Sequence, residues 1–364
     1  MENTPKIGIS FEKQRLFVDR RISVAPMMDW TDRHCRFFLR GFSPHTFLYT
    51  QMITAAAILR GERSRLLAFD PEEHPVALQL GGSDPAELAA AARAGEEAGY
   101  DEINLNCGCP SDRVASGAFG ACLMLQPDRV ADCVAEMRAH VRVPVTVKMR
   151  VGVVSSRAGE APSAVTRFDE ADFEVLHTFV RKVRDAGCEV AIVHARKAVL
   201  GGLSPKDNRE IPPLRYDVVR RIKEAFPQLP LIVNGGIRES SAAIDALTWC
   251  DGVMLGREAY HRPFVLSELH RALYPGEPGI QLPRTQILER MARYAERELP
   301  RGGRLPAITR HMLGLYGGEP GAREYRRYLS EGSRVAGAGP EVLRKAGQLA
   351  SGRLPQPKSL ADLR

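Results

Sequence analysis

The sequence predicts a (β/α)8 barrel carrying a small all-helical domain at its C-terminal side. Three observations carry that expectation. Short runs rich in Val, Ile and Leu recur up to about Tyr274, each followed by a helical stretch. The runs are continuously apolar, as suits strands buried on both faces. Polar and glycine-rich residues gather just after the runs, where a barrel places its chemistry.

The candidate strands are Ile22–Ala25, Phe47–Thr50, Val76–Leu80, Glu102–Asn106, Val145–Lys148, Val190–His194, Leu231–Asn234 and Gly252–Leu255. Between them, Pro85–Ala98 is alanine-rich, with Ser83 or Asp84 placed to cap it. Pro127–His140 carries Val130, Val134 and Met137 at helical spacing, and Ala171–Ala186 and Tyr216–Phe226 repeat the pattern. A doubly wound open sheet is the competing architecture, but no G-x-G-x-x-G follows the first strand.

Two βα loops are long: Cys107 to Leu125, and Val151 to Asp169, the second full of Gly, Ser, Ala and Pro. Long loops on a catalytic face serve as lids or binding elements. Beyond Tyr274, Pro275-Gly276-Glu277-Pro278-Gly279 reads as a linker. Helices are then expected over Arg284–Leu299, Pro306–Leu315 and Ala322–Glu331, with a weaker one over Pro340–Ser351. The expected division is a tail over 1–20, the barrel over 21–274, a helical domain over 280–335, and a last helix and tail over 336–364.

The 364 residues are 44% hydrophobic and 26% charged, enough for a packed core and too apolar for global disorder. No apolar run approaches the roughly 18 residues that span a bilayer, and the N-terminus has no hydrophobic signal core. A cytoplasmic monomer with no membrane partner is expected. The seven cysteines, Cys35, Cys107, Cys109, Cys122, Cys133, Cys188 and Cys250, include no C-x-x-C pair, and no histidines have zinc-finger spacing. Neither a metal nor a disulfide framework is expected. Charge is uneven: Gln281–Arg364 holds 16 Lys+Arg and 8 Asp+Glu, so the whole net charge of +7 falls in the C-terminal part. Such asymmetry supplies the electrostatic term of nucleic-acid binding.

The strand ends carry Pro26-Met27-Met28, Thr50-Gln51, Gln79, Asn104 and Asn106 leading into Gly108-Cys109-Pro110, Lys148, His194, Asn234-Gly235-Gly236 and Gly256-Arg257. Loops after the seventh and eighth strands commonly hold a phosphate through glycine-exposed N–H groups, and Arg257 adds a charge able to bind in two-pronged fashion. Lys148 could form a Schiff base or face the electron-rich edge of a bound ring. His194 could bond a cofactor. Thiols carry their proton at neutral pH, so Cys109, aimed by its glycine and proline neighbours, can act as a general acid. In the C-terminal part, Arg323, Arg326 and Arg327 share one helix face, opposite Tyr325, Tyr328 and Leu329. That face suits phosphate-backbone contacts.

The chain resembles the tRNA-dihydrouridine synthases, and specifically their A subfamily. The matching stretches are Ala25–Met28, Leu105–Ser111, His194–Lys197, Gly202–Lys206, Asn208–Pro213, Asn234–Gly236, Asp251–Tyr260, Arg310–Leu315 and Arg326–Glu331. The resemblance implies FMN in the barrel mouth, NADPH as its reductant, and tRNA as the partner. Pro26, Met27 and Met28 would line the flavin. Gln79, Lys148 and His194 would contact it. Asn234, Gly235, Gly236, Gly256 and Arg257 would hold its phosphate. Hydride would reach C6 of D-loop uridines 20 and 20a, and Cys109 would protonate C5. Asn106, Lys206, Arg209, Arg323 and Arg326 would touch the tRNA. Cys107 and Met149 depart from the family pattern. A flavin oxidoreductase acting on free pyrimidines is the main rival. A Schiff-base aldolase and a catalytically dead RNA-binding barrel stand further back.

Overall fold

The computed structural model describes residues 19–110, 119–155, 167–201, 203–277 and 282–352. The tail over 1–18, the middle of both long loops, Gly202, residues 278–281 at the end of the expected linker, and the tail beyond 352 lie outside the described residues.

Eight parallel strands form the barrel: β1 (Ile22–Val24), β2 (Leu48–Tyr49), β3 (Val76–Gly81), β4 (Glu102–Cys107), β5 (Val145–Arg150), β6 (Ala191–His194), β7 (Leu231–Asn234) and β8 (Gly252–Leu255). Each pairs with its neighbour in sequence, and β8 returns to β1 with Ile22 opposite Val253. The ring closes between β1 and β2. There the Val24 N–H donates to the Phe47 carbonyl and the Phe47 N–H to the Ile22 carbonyl, both at 2.9 Å. Three short strands, Ile53–Thr54 on β3 and the two-stranded ribbon of Val153–Ser155 with Ala198–Leu200, decorate the C-terminal rim.

Alternation of side chains along each strand sorts the core into two shells. Ile103, Leu105, Val145, Val147, Val193 and Val233 face outward into the large apolar layer beneath the helices. Phe47, Tyr49, Ala77, Ile192, Ile232 and Met254 fill the inside. Continuous apolar runs therefore arise because both faces are covered. The inner positions of β4 break this rule: Glu102, Asn104 and Asn106 are polar and buried.

The outer ring contains α1 (Arg33–Arg40), α2 (Ala55–Arg60), α3 (Pro85–Ala98), α4 (Pro127–His140), α5 (Glu170–Asp185), α6 (Tyr216–Ala225), α7 (Ser240–Ala246), α8 (Arg257–His261) and α9 (Phe264–Leu273). Asp84, not Ser83, caps α3, its carboxylate accepting the Glu87 N–H at 2.9 Å.

The C-terminal part comprises α10 (Arg284–Glu298), α11 (Leu305–Thr309), α12 (Ala322–Gly332) and α13 (Glu341–Ala350). The helix expected over Pro306–Leu315 is only five residues long. Tertiary contact stops it: Gly314 lies so close to the His261 carbonyl that a Cβ would stand 2.4 Å from it. The adjoining Arg310 and His311 turn their side chains to Asp32. A break at 335 is not visible in the packing, because α13 lies against both α10 and α12.

This bundle docks on α1. Tyr294 stacks on Phe37 with centroids 4.0 Å apart and meets His34 Nδ1 at 2.8 Å. Arg290 covers the Phe37 ring and donates to the Phe37 carbonyl at 2.6 Å. Asp32 is the polar centre: it caps α1 through the Cys35 N–H and accepts from Arg310 at 2.6 Å and His311 Nε2 at 3.0 Å. Burial alone would raise its carboxyl, but His311, the Cys35 N–H and Arg310 together hold it well below the carboxylate range.

A depressed folded pKa gives stability that is present above the unfolded value of about 4 and lost as pH falls through the folded one. Asp32→Asn is therefore expected to cost roughly 1–3 kcal/mol at pH 7. The gap to wild type should narrow steadily in denaturant melts below about pH 4. A constant gap down to acid pH would show that Asp32 acts by shape alone.

Candidate active site

The C-terminal ends of the strands meet at one mouth. At its wall, β4 runs out into Asn106-Cys107-Gly108-Cys109-Pro110. The end of the strand separates the two cysteines: Cys107 is the last residue of β4, and the chain leaves the sheet at Gly108 before Cys109. Cys107 points outward, wholly buried in the apolar layer beneath the helices, and burial pushes its thiol well up. Cys109 is partly exposed, and its backbone is held from below: Asn106 Oδ1 accepts the Gly108 N–H at 3.1 Å and the Cys109 N–H at 3.0 Å. Met149 likewise faces the outer layer, away from the mouth. Both departures from the family pattern thus fall on the side of the sheet remote from the chemistry.

On β5 the inward set is Thr146, Lys148 and Arg150. The Lys148 ammonium donates to Asn234 Oδ1 at 3.0 Å. Burial, with Arg150 nearby, brings it down from 10.5 to about 7. Arg150, which sequence reading passed over, ties three loops together. Its Nε donates to the Gly108 carbonyl at 3.1 Å, and its Nη1 to the carbonyls of Asn208 at 3.1 Å and Lys197 at 3.4 Å. The signal was available: Val-Thr-Val-Lys-Met-Arg alternates with period two, which puts Arg150 on the face of Lys148. Cys109 lies within electrostatic reach of Lys148, Arg150 and Arg209.

His194 ends β6. Burial, then the charges of Arg150 and Lys148, push its ring well below the usual histidine range, so it is neutral. Its Nδ1 is buried without a partner. Gly235 and Gly236 follow β7 with φ of +108° and +74°. A Cβ on Gly235 would stand 3.0 Å from the His194 ring, so only glycine fits. A Cβ on Gly256 would meet nothing nearer than Ala25 at 4.0 Å, which leaves open space after β8. Arg257 pairs with Glu210 at 2.6 Å. The Asn234 side chain is committed to Lys148 and to the Met254 carbonyl, so toward a phosphate it has only its backbone left.

At the other side of the mouth, Met27 is half-buried and Met28 exposed. The turn they form is fixed by Asp29, which has φ +63° and whose N–H donates to Gln51 Oε1 at 2.9 Å. Gln79 is wholly buried, its amide bonded to Asn104 and Asn106. Lys206 and Arg209 are both exposed, Arg209 on the short turn Asp207–Arg209. Burial, with Arg257 nearby, lowers the Arg209 guanidinium. Asn208 pins this loop to the Ala198–Leu200 strand through the Val199 N–H at 2.8 Å and carbonyl at 3.0 Å. Arg323 and Arg326 are exposed on α12, whereas Tyr325, Tyr328 and Leu329 are buried, as the helical spacing predicts.

The donor set suits an electron-rich planar group with a phosphate tail. It offers a part-buried amine at Lys148, an orphaned histidine nitrogen, side-chain-free backbone at Gly235 and Gly236, and arginines close by. Among the described residues one further group, His45, His270 and Glu277, has metal-compatible spacing. His45 precedes β2, His270 lies within α9 and Glu277 follows it, away from the mouth, with His45 and His270 stacked on Tyr274.

Comparison with known proteins places this geometry. The dihydrouridine synthase family model matches residues 23–351. A tRNA-dihydrouridine(20/20a) synthase of Xanthomonas campestris is 52% identical over 328 residues, covering 90% of this chain and 93% of the relative. The protein of that name in Synechocystis is 52% identical, covering 91% of this chain and 96% of its own. In Escherichia coli K12 the values are 51%, 92% and 93%.

The lysine makes a signed prediction. A lysine lowered to about 7 charges at a cost, and the unfolded chain binds the extra proton between about pH 7 and 10.5. Wild-type stability from this group therefore rises with pH across that window. In flavin-free protein, Lys148→Met should be the more stable form at pH 6, with its advantage shrinking from pH 7 to 10. Denaturant titrations giving a pH-independent difference would remove Lys148 from the buried site.

Proposed function

The chain belongs to the dihydrouridine synthase family, and on that premise we propose that it reduces D-loop uridines 20 and 20a of tRNA to 5,6-dihydrouridine, with Cys109 as the proton donor. The observation that carries this is the placement of Cys109: its loop is anchored by Asn106 and Arg150 beside the part-buried Lys148 and the unpartnered His194 nitrogen.

The family is flavin-dependent, and the residues fit FMN reduced by NADPH. A bound flavin supplies the hydride that saturates C6 of the uracil. Lys148 is the cation for the electron-rich ring edge, and His194 offers its free nitrogen to the cofactor. The glycines after β7 and β8, with Arg257, cradle the phosphate. Cys109 holds the proton that goes to C5. The sulfur it leaves behind is faced by Lys148, Arg150 and Arg209, and solvent returns the proton.

A uridine in folded tRNA has to turn outward to enter such a mouth, which requires the tRNA body to be held elsewhere. Lys206 and Arg209 are exposed beside the mouth, Asn106 lies buried beneath the Cys109 loop, and Arg323 and Arg326 line the exposed face of α12. That cationic face favours tRNA over free pyrimidines, which need no such surface. A tRNA substrate also supports a cytoplasmic location. No helix among the described residues is long and apolar enough to cross a membrane.

Cys109→Ala should still let NADPH reduce the flavin but should lower dihydrouridine formation by roughly 10²–10⁴, the usual contribution of a general acid. Near-normal turnover would refute the role. Replacing Arg323 and Arg326 together by Ala should weaken tRNA binding and flatten its dependence on salt, with NADPH oxidation unchanged. An unaltered salt slope in filter-binding assays would take α12 out of the interface.

A further inference from the structure

A single chain of hydrogen bonds runs up the inside of the barrel from its floor to the Cys109 loop. At the floor, the Glu102 carboxylate is wholly buried. Its Oε2 accepts from Arg20 Nη2 at 2.8 Å and Nε at 3.0 Å. Its Oε1 accepts from the Tyr49 hydroxyl at 2.7 Å and the Thr146 hydroxyl at 2.6 Å. Asn104 Nδ2 donates to Thr146 Oγ1 at 2.8 Å, Gln79 Nε2 to Asn104 Oδ1 at 2.7 Å, and Asn106 Nδ2 to Gln79 Oε1 at 2.8 Å. Asn106 Oδ1 then accepts the N–H groups of Gly108 and Cys109.

The direction of every link follows from the first. A carboxylate paired with a guanidinium only accepts. Thr146 must therefore give it the hydroxyl proton and has only lone pairs left for Asn104. That turns the NH2 of Asn104 downward and its oxygen upward. The oxygen takes an N–H of Gln79, which turns the Gln79 oxygen toward Asn106. Asn106 is left presenting an oxygen to the loop, the one orientation that can receive two backbone N–H groups. The loop makes the same demand from above, since its backbone N–H groups only donate; without the acceptor at the floor, the amides lose the fixed end that holds Asn106 in line from below.

We propose that Glu102, Thr146 and Asn104 are positioning residues for the reaction, fixing through Gln79 the orientation of Asn106 that holds Cys109 over the substrate. Glu102 and Asn106 are four residues apart on β4, roughly 13 Å at ~3.3 Å per residue. The effect reaches Cys109 only through these bonds. The inference rests on Cys109 being the proton donor.

The test uses full-length, flavin-loaded enzyme. Thr146→Val keeps the shape of the side chain and breaks the link, whereas Thr146→Ser keeps the hydroxyl. Thr146→Val should slow oxidation of the pre-reduced enzyme by tRNA about tenfold, the scale of a small misplacement of a reacting group. The tRNA KM and the rate of reduction by NADPH should stay within about twofold, well inside that misplacement effect. Thr146→Ser should restore the rate. In the resting enzyme, alkylation of Cys109 by iodoacetamide, followed on its peptide by mass spectrometry, should change severalfold in Thr146→Val alone. In a Cys109→Ala background, Thr146→Val should add little, because the two act as a unit.

Equal slowing of both half-reactions, no slowing of either, or a full effect that persists without Cys109 would overturn the proposal. Normal turnover of Cys109→Ala by itself would instead sink the assignment of the proton donor. Should Thr146→Val fail to fold, Asn104→Leu severs the same chain one link higher and leaves the bond between Thr146 and Glu102 intact. It must show the same split between half-reactions.

Discussion

A charged group inside a closed barrel has no water to turn to, and the carboxylate of Glu102 is such a group. Burying it is tolerable only with a partner of opposite sign and with its remaining lone pairs filled. Arg20 supplies the charge, and Tyr49 and Thr146 supply the hydroxyls. That requirement reaches outward. Arg20 lies just before β1, and its carbonyl passes so close to β8 that a Cβ on Gly252 would stand 2.2 Å away. The glycine that opens the last strand thus lets the chain ahead of the first strand lie against the barrel and send a guanidinium inside.

The same alternation divides the chemistry from the scaffold. Odd and even positions of β4 and β5 serve different masters: Ile103, Leu105, Cys107, Val147 and Met149 pack under helices, while Glu102, Asn104, Asn106, Thr146 and Lys148 face the axis. A one-residue slip of either strand would exchange the sets, turning the apolar side chains to the axis and the polar ones under the helices. The register against neighbours, Asn104 beside Thr146 and Asn106 beside Lys148, is therefore as much a condition of the site as the residues themselves.

Most of the fold was legible because its signals are local. All eight strands lie within a residue or two of the apolar runs, and α3 and α4 coincide with Pro85–Ala98 and Pro127–His140, each opened by a proline at its first turn. The arginine face of α12 was equally plain from spacing. Helix Pro306–Leu315 was misjudged because its end is decided by Asp32, nearly 300 residues earlier, and by the close approach of Gly314 to His261. Within the site, Cys109, Lys148 and His194 stood out as unusual residues at strand ends. Glu102, Thr146 and Arg150 did not, although their period-two pattern was present. Polar alternation ordinarily marks a strand with one face in water, and only closure of the barrel turns that face into an interior.

The helical part is joined to this interior along one seam. β1 and β8 pair with each other, and the segments that leave them both contact the bundle. After β1, Trp30 stacks on Tyr260 of α8 with centroids 4.3 Å apart, and Asp32 receives Arg310 and His311. After β8, the Tyr260 hydroxyl meets His311 Nδ1 at 3.1 Å and the Arg310 carbonyl at 3.3 Å. His311 bonds to both sides at once, through Nε2 to Asp32 and through Nδ1 to Tyr260. Tyr260 is only three residues beyond Arg257 in the rim loop. An exposed cationic face on a loosely tethered module would raise affinity for a polyanion without directing it. Fixing that module to the two strands that close the barrel converts affinity into placement, because whatever α12 holds is held in register with the mouth.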